Sequence, residues 1–242
     1  MQTPELTEGQ SPVNEIPDIA VWTHRWSPLL VRCVESVARR TRGSCNLLVV
    51  CEPGNCHRNM NRALARSRSR YLVFLDEDVE ILDDSWLDRL LEDLRSHEDL
   101  GVVGCREIKD PFARALYLDR PEIILGVPPV PLDFVSWIPA YCMCFDRGRF
   151  PTLNFDERIP GDKGMTDVDA CLQLTSHGLR VGRDNRFAVY HPAKSASERM
   201  RCAARELEWF RAQRDYMTAK WGDLYAGDAA LCPRVAAPSA AG

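Results

Sequence analysis

Three acids in a row, Asp76-Glu77-Asp78, stand directly after the apolar run Tyr71-Leu72-Val73-Phe74-Leu75. Carboxylates crowded at a strand end repel one another unless a cation lies between them. Oxygen donors select hard divalent ions, and Mg²⁺ or Mn²⁺ in such a place retains water and binds substrate phosphates as well. The other reading is a solvated turn that caps the helix beginning near Asp84, although a helix needs only one cap. Two further places can do acid–base or ligand chemistry. Asp167 and Asp169 open a helix behind a glycine-bearing loop, where Thr166-x-x-Asp169 also spells a capping box. His191 closes a strand-like run, either as a ligand or as a satisfied surface histidine. Cys51, Cys56 and His57 could hold a metal, but no paired Cys-x-x-Cys completes a site.

The elements that must position these groups follow from apolar spacing. Ile19 to Trp22 is a short buried-strand run ending at Thr23-His24-Arg25. Ser27-Pro28 reads as an N-cap with proline at the first helical position, followed by Leu30, Cys33, Val34, Val37 and Ala38 on one face. Leu47 to Cys51 is a second strand, and a helix through Met60 and Leu64 leads to the third, Tyr71 to Leu75. A helix with Leu87, Leu90, Leu91 and Leu94 then precedes a fourth strand, Gly101 to Cys105. Short buried strands alternating with helices predict an α/β chain with a parallel sheet covered on both faces. Sites in such sheets lie off the carboxyl ends of the strands, where Thr23–Arg25, Glu52–Asn55 and Asp76–Asp78 all fall.

Beyond Cys105 the pattern changes. Residues 106–132 read as irregular and proline-rich, Phe134 to Phe145 as one or two strands, and Asn154 to Met165 as a loop with Gly161 and Gly164. A helix from about Asp167 to His177 closes at Gly178, Arg180 to Tyr190 is strand-like, and residues 197–221 form a long helix. Ala203, Leu207, Phe210 and Met217 mark its packing side, and its aromatics Trp209 and Tyr216 could cover the core or pair two copies as a homodimer. Residues 1–17 read as a loose polar arm and 233–242 as a disordered tail.

Composition sets the outer limits. The 242 residues are 45% hydrophobic and 27% charged with a net charge of -4. That suits a folded domain and gives no general attraction to nucleic acid. No apolar window is long enough to span a membrane, and the first twenty residues do not spell a secretory signal, so a cytoplasmic, reducing setting is expected. The ten cysteines are then mostly buried thiols.

Residues 18–192 resemble a family 2 glycosyltransferase with the GT-A fold. NMNRALARSRSRYLVFLDEDVEI (Asn59 to Ile81) is similar to the family's strand leading into its DxD motif. PAYCMCFDRGRF, NFDER and GMTDVDACLQLTSHGLRV resemble its acceptor half, and VYHPAKS the segment carrying a metal-binding histidine. The resemblance implies a nucleotide-sugar-binding half at 18–105, an acceptor and catalytic half at 106–196 and a C-terminal helix and extension at 197–232. It implies Asp78 and His191 as ligands to Mn²⁺ or Mg²⁺ and Asp167 as the catalytic base. Asp76 and Glu77 would serve the nucleotide, with Asp76 on the ribose. Thr23, Arg25 and Glu52 occupy nucleotide-contacting positions, and Asn59 and Arg62 donor-contacting ones. Thr166 stands where the family usually has Glu, and Asn154 where it has Gly; Asp162 is the substitute base if Asp167 only caps its helix.

The implied activity is metal-dependent, inverting transfer of a sugar from a nucleoside-diphosphate sugar to an acceptor hydroxyl, on a small natural product or a glycan. Trp137, Tyr141 and the proline-rich segment 111–131 would frame the acceptor, although aromatics so placed are equally common as core. Two other readings compete: a nucleotide-sugar-binding protein without catalysis, motivated by Thr166, and a haloacid-dehalogenase-type phosphatase, whose nucleophilic Asp normally follows the first strand.

Overall fold

A computed structural model describes residues 14–126, 131–193 and 196–226, with side chains of 196–206 left aside. The first three strands, β1 (Asp18–Thr23), β2 (Asn46–Cys51) and β3 (Tyr71–Asp76), are parallel, with β1 central. Helix α1 (Pro28–Arg40) returns the chain from β1 to β2. Ser27 caps it by accepting from the Leu30 amide at 3.2 Å, and Pro28 opens it. Helix α2 (Cys56–Arg66) is capped by Asn55 and carries the chain to β3.

The two-residue β4 (Glu80–Ile81), α3 (Trp86–Ser96) and β5 (Leu100–Ile108) follow, then α4 (Pro111–Asp119), α5 (Pro121–Leu125), β6 (Leu132–Val135), β7 (Cys142–Asp146), α6 (Thr166–Ser176), β8 (Arg180–Tyr190), α7 (Ala196–Trp221) and α8 (Asp223–Ala226). The sheet order is β2-β1-β3-β7-β5-β8-β4, with β6 also on β8. Strand β7 is antiparallel to both β3 and β5, whereas β5 and β8 are parallel. The carboxyl ends of β1, β3, β5 and β8 and the start of β7 therefore meet at one edge.

Alternation along the strands sorts the core into two layers. Ile19, Val21, Val73 and Leu75 face Leu30, Cys33, Trp86 and Leu90, while Ala20, Leu72 and Phe74 face Met60, Ala63 and Phe155. Each buried Leu or Phe contributes ~1.5–3 kcal/mol by leaving water. Phe74 meets Phe145 and Phe155 edge-on at 5.9 and 5.1 Å between centroids, which ties the loop after β7 to the sheet.

The structure corrects several expectations. Residues 106–132 are not wholly irregular: β5 runs on to Ile108, and Asp110 caps the Pro111-led α4 while Pro121 opens α5. Of Asp84 and its neighbour, either of which could cap α3, Ser85 takes the N-cap position but makes no side-chain bond there, and Asp84 pairs with Arg40 and Arg42. Thr166 and Asp169 form no capping box. Met165, left-handed at φ 56°, is the N-cap of α6, and the Thr166 hydroxyl turns to His57 instead.

Phe134 to Phe145 holds two strands, with β6 starting at Leu132. Of the N-terminal arm, Asn14 bridges to Ser69, which fixes the entry to β1. On α7, Met217 is buried, Leu207, Phe210 and Tyr216 are half-buried, and Ala203 lies outside the described side chains, as do the tail residues 233–242. The described cysteines are free, and Cys33, Cys56, Cys105, Cys142, Cys144 and Cys171 are buried.

Candidate active site

At the edge where the strands meet, one ligand atom each from Asp76, Asp78 and His191 lie within 4.8 Å of one another. Among the described residues this is the one such group of histidines, cysteines and acids, so Cys51, Cys56 and His57 do not assemble a metal site. Asp76 ends β3 opposite Trp22 of β1, and its Oδ1 is buried without a hydrogen-bond partner. Burial pushes the Asp76 pKa up to about 7, against the pull of His191 and with the push of Asp78 and Asp167. Glu77 also has a buried, unpartnered Oε2; burial and Asp78 raise its pKa while Arg25 lowers it. A buried carboxylate without a partner is costly, and a cation would satisfy it.

His191 arrives from the end of β8, its backbone N–H donating to Ile108 O at 2.9 Å. Its Nε2 lies 3.2 Å from Asp78 Oδ1 and its Nδ1 2.5 Å from Glu107 Oε1. Burial disfavours the imidazolium, but Asp78 and Glu107 outweigh it and push the His191 pKa up to about 10. Glu107 is anchored in turn by Lys109 at 3.0 Å. A carboxylate behind one nitrogen and an open carboxylate cluster before the other is the arrangement that aims a metal-binding histidine. Two carboxylates and an imidazole fit Mn²⁺ or Mg²⁺, with waters or phosphate oxygens completing the shell.

Asp167 approaches from α6. Its Oδ2 accepts from the Ala140 amide at 3.2 Å and its Oδ1 from the Val168 amide at 2.9 Å. Burial raises its pKa, and those amide bonds work the other way. Asp169 faces the interior, bound by Lys220 and by the Trp221 indole, both at 2.7 Å. Thr166 also faces inward, its hydroxyl 2.9 Å from His57 Nδ1 and 3.3 Å from Cys56 Sγ. Asp162 is exposed, and its carbonyl accepts from the Cys56 amide.

The remaining predicted residues line the neighbouring strand ends with different degrees of freedom. The buried Thr23 hydroxyl bonds Arg25 O at 2.8 Å, shaping the turn that leaves Arg25 exposed. Glu52 is held by Arg62 at 3.1 Å and by Arg66. Asn59 is fully buried: its amide donates to Glu52 O and its carbonyl accepts from Arg62. The structure thus gives Asn59 and Arg62 a bracing role in the β2–α2 turn.

Glu107 is the group that sequence reasoning missed, and His57 was read only as a possible metal ligand. The signal for Glu107 was the strand continuing past Cys105, which puts a lone acid beside Ile108; the pairing of His57 with Thr166 left none, because the two lie 109 residues apart.

The family model for glycosyl transferase family 2 matches residues 52–120, from the end of β2 through α4. Superposition on GalNAc-T7 solved with UDP, GalNAc and Mn²⁺ gives a TM-score of 0.58 at 10% identity, over 76% of this chain and 45% of that one. The chain has a GT-A fold, and its residues 52–120 are similar to glycosyl transferase family 2. The GT-A domain is also similar to the mannosyltransferase PcManGT from Pyrobaculum calidifontis, solved with GDP-Man and Mn²⁺, with a TM-score of 0.56 and 14% identity over 83% of this chain and 64% of that one. In sequence the GT-A domain is 28% identical over 188 residues to the O-antigen biosynthesis protein RfbC of Myxococcus xanthus, spanning 68% of this chain and 14% of that protein. An uncharacterized protein, y4gI of Sinorhizobium fredii, is 22% identical over 223 residues, 84% of this chain and 23% of that one. The chain therefore spans less than a quarter of the curated relatives it matches. No described helix of the GT-A domain is long and apolar enough to cross a membrane.

Proposed function

We propose that this GT-A domain transfers a sugar from a nucleoside-diphosphate sugar to an acceptor hydroxyl, with inversion at the anomeric carbon. The observation that carries the reading is the Asp76–Asp78–His191 group, backed by Glu107, at the edge where Asp167 also arrives. Bound by Asp78 and His191, a divalent cation would supply charge stabilisation for the departing diphosphate. Asp76 and Glu77 face the nucleotide side with Thr23, Arg25 and the turn braced by Glu52, Asn59 and Arg62.

Asp167 accepts the acceptor's hydroxyl proton as the new glycosidic bond forms, and the electron pair of the old bond leaves on the diphosphate. The amides of Ala140 and Val168 fix its carboxylate while leaving lone pairs for the proton. Holding donor and acceptor on opposite sides of the anomeric carbon supplies much of the remaining rate. The similar structures hold UDP in one case and GDP-Man in the other, so uracil and guanine nucleotides are both candidate donors.

A thermal-shift screen of UDP, GDP and dTDP with their common sugars, each with Mn²⁺, Mg²⁺ or EDTA, tests the reading. A bound nucleotide stabilises the native state by ~2.7 kcal/mol at a hundredfold excess over its dissociation constant. A shift with one nucleotide that EDTA abolishes is the expected result; no shift with any of them would sink the transferase reading. One observation favours the second reading, a nucleotide-sugar-binding protein: with Thr166 turned inward, Asp167 stands without the family's neighbouring Glu. Metal-dependent donor binding with neither hydrolysis nor transfer would establish it.

A further inference from the structure

A cleft of about 550 Å³ opens beside the Asp78–His191 pair, lined among others by Arg106, Asp133, Trp137, Tyr141, Arg183 and Asn185. Glu107, which holds His191, forms part of its wall. The Tyr141 ring lies against His191 with centroids 5.5 Å apart, and its hydroxyl donates to Cys105 O at 2.7 Å. Ala140, next to Tyr141, donates to Asp167. The cleft is therefore continuous with the catalytic edge on the side away from β1 and β2.

Its charges do not cancel. Glu107 is already matched by His191 and Lys109. Asp133 is held below the usual carboxylate range by hydrogen bonds from Asn185 and Arg183. Arg183 reaches Asp133 through one terminal nitrogen at 3.0 Å, yet its Nε is buried without a partner. Arg106 donates one bond to Leu125 O at 3.0 Å, and no carboxylate among the described residues lies within 4.0 Å of it. Two guanidinium groups thus line one polar cavity, Arg106 without a carboxylate partner and Arg183 partly exposed beside Asp133, and half-buried Trp137 offers a ring to an apolar sugar face. Guanidinium forks select carboxylate and phosphate oxygens.

Resting on the transferase reading, we propose that this cleft seats the acceptor and that the acceptor carries an anionic group, a carboxylate or a phosphate, bound by Arg106 and Arg183. The shared chemistry is an anion within one sugar unit of the hydroxyl that Asp167 deprotonates.

The test uses the full chain with Mn²⁺ and the nucleotide found to bind, titrated by saturation-transfer NMR at constant ionic strength. The probes are methyl β-glucuronide, glucose 6-phosphate and the neutral methyl β-glucoside. One of the anionic probes should bind roughly tenfold more tightly than the glucoside, the size expected for hydrogen bonds to a charged group. Whichever anion wins separates carboxylate from phosphate. Arg106→Gln should remove that advantage and Arg106→Lys should restore part of it, with nucleotide affinity in the same samples reporting an intact fold. Absence of an anion advantage, or an advantage that survives Arg106→Gln, would overturn the proposal. Failure of every nucleotide to bind would instead count against the transferase reading, so the two failures are distinguishable.

Discussion

His191 sits between two carboxylates, with Nδ1 2.5 Å from Glu107 and Nε2 3.2 Å from Asp78. The pairing joins the end of β5 to the end of β8 and sets which imidazole nitrogen can serve a cation. Removing the charge behind a metal-binding histidine typically weakens metal affinity roughly 10–100-fold. Glu107→Gln should therefore lower Mn²⁺ affinity by that factor in isothermal titration, with the melting curve little changed. Unaltered affinity would mean that Glu107 only packs.

Asp167→Asn keeps the shape of the residue and can keep one of its two bonds from the amides of Ala140 and Val168, but removes the proton acceptor. Turnover should fall by ~10²–10⁴-fold, the usual contribution of a general base. Nucleotide affinity in the presence of Mn²⁺ should stay as it was. A mutant that transfers sugar at the parent rate would move the base to another group, with the exposed Asp162 the first to try.

The Thr166 hydroxyl is the described partner of His57, whose Nε2 is buried and unpartnered and whose pKa burial lowers. Thr166→Val would leave both ring nitrogens unsatisfied in the interior. A loss of about 1–3 kcal/mol in urea unfolding is expected, the cost of stranding a buried polar group. Because Asp167 is the next residue, kcat should fall with it while Mn²⁺ affinity holds. A fully stable variant would show that the contact contributes nothing.

The C-terminal part of α7 grips the loop that leads into Asp167. Asp156 accepts from Tyr216 at 2.7 Å and Lys220 at 2.8 Å, and Gln213 donates to Pro160 O and Lys163 O. Gly164, at φ 97°, leaves room that Gln213 fills, since a Cβ there would lie 2.8 Å from its Oε1. Hydrogen bonds from Arg158, opposed by burial and reinforced by Lys220 and Tyr216, hold the Asp156 carboxyl well below the usual carboxylate range.

A carboxyl whose folded pKa is depressed stabilises the fold fully above its unfolded pKa of ~3.9 and loses that contribution as pH falls below it. Melting temperature should therefore drop steeply below about pH 4, and Asp156→Asn should flatten that acid limb. An acid limb unchanged in the variant would place the sensitive group elsewhere.

Much of the donor side was legible because its signals are local. Apolar runs of four to six residues marked β1, β2 and β3, and the polar residues at their ends had to share an edge once the strands were parallel. Asp76, Asp78 and His191 were legible for the same reason, each standing where an apolar run stops. The acceptor side was harder. The strand continuation to Ile108 was masked by the charged Arg106 and Glu107, and the prolines that suggested irregular chain instead open α4 and α5. The Thr166-x-x-Asp169 spelling promised a cap, but each side chain had a stronger partner more than fifty residues away in His57, Trp221 or Lys220. Pairings of that range leave no periodic trace.

The reversal of β7 also has a bearing on how such a domain can diversify. Because β7 runs against its neighbours, the catalytic edge receives its entrance, and the segment 131–141 feeding that entrance carries Trp137, Pro139 and Tyr141 into the cleft. Donor-side groups hang on the exits of other strands, and the feeder touches them only at its end, where Ala140 and Tyr141 meet Asp167, His191 and Asp76. On the proposed transferase reading, insertions or substitutions in the feeder ahead of Ala140 could retune which acceptor is taken without disturbing nucleotide or cation binding, making acceptor choice an exchangeable module on a fixed engine.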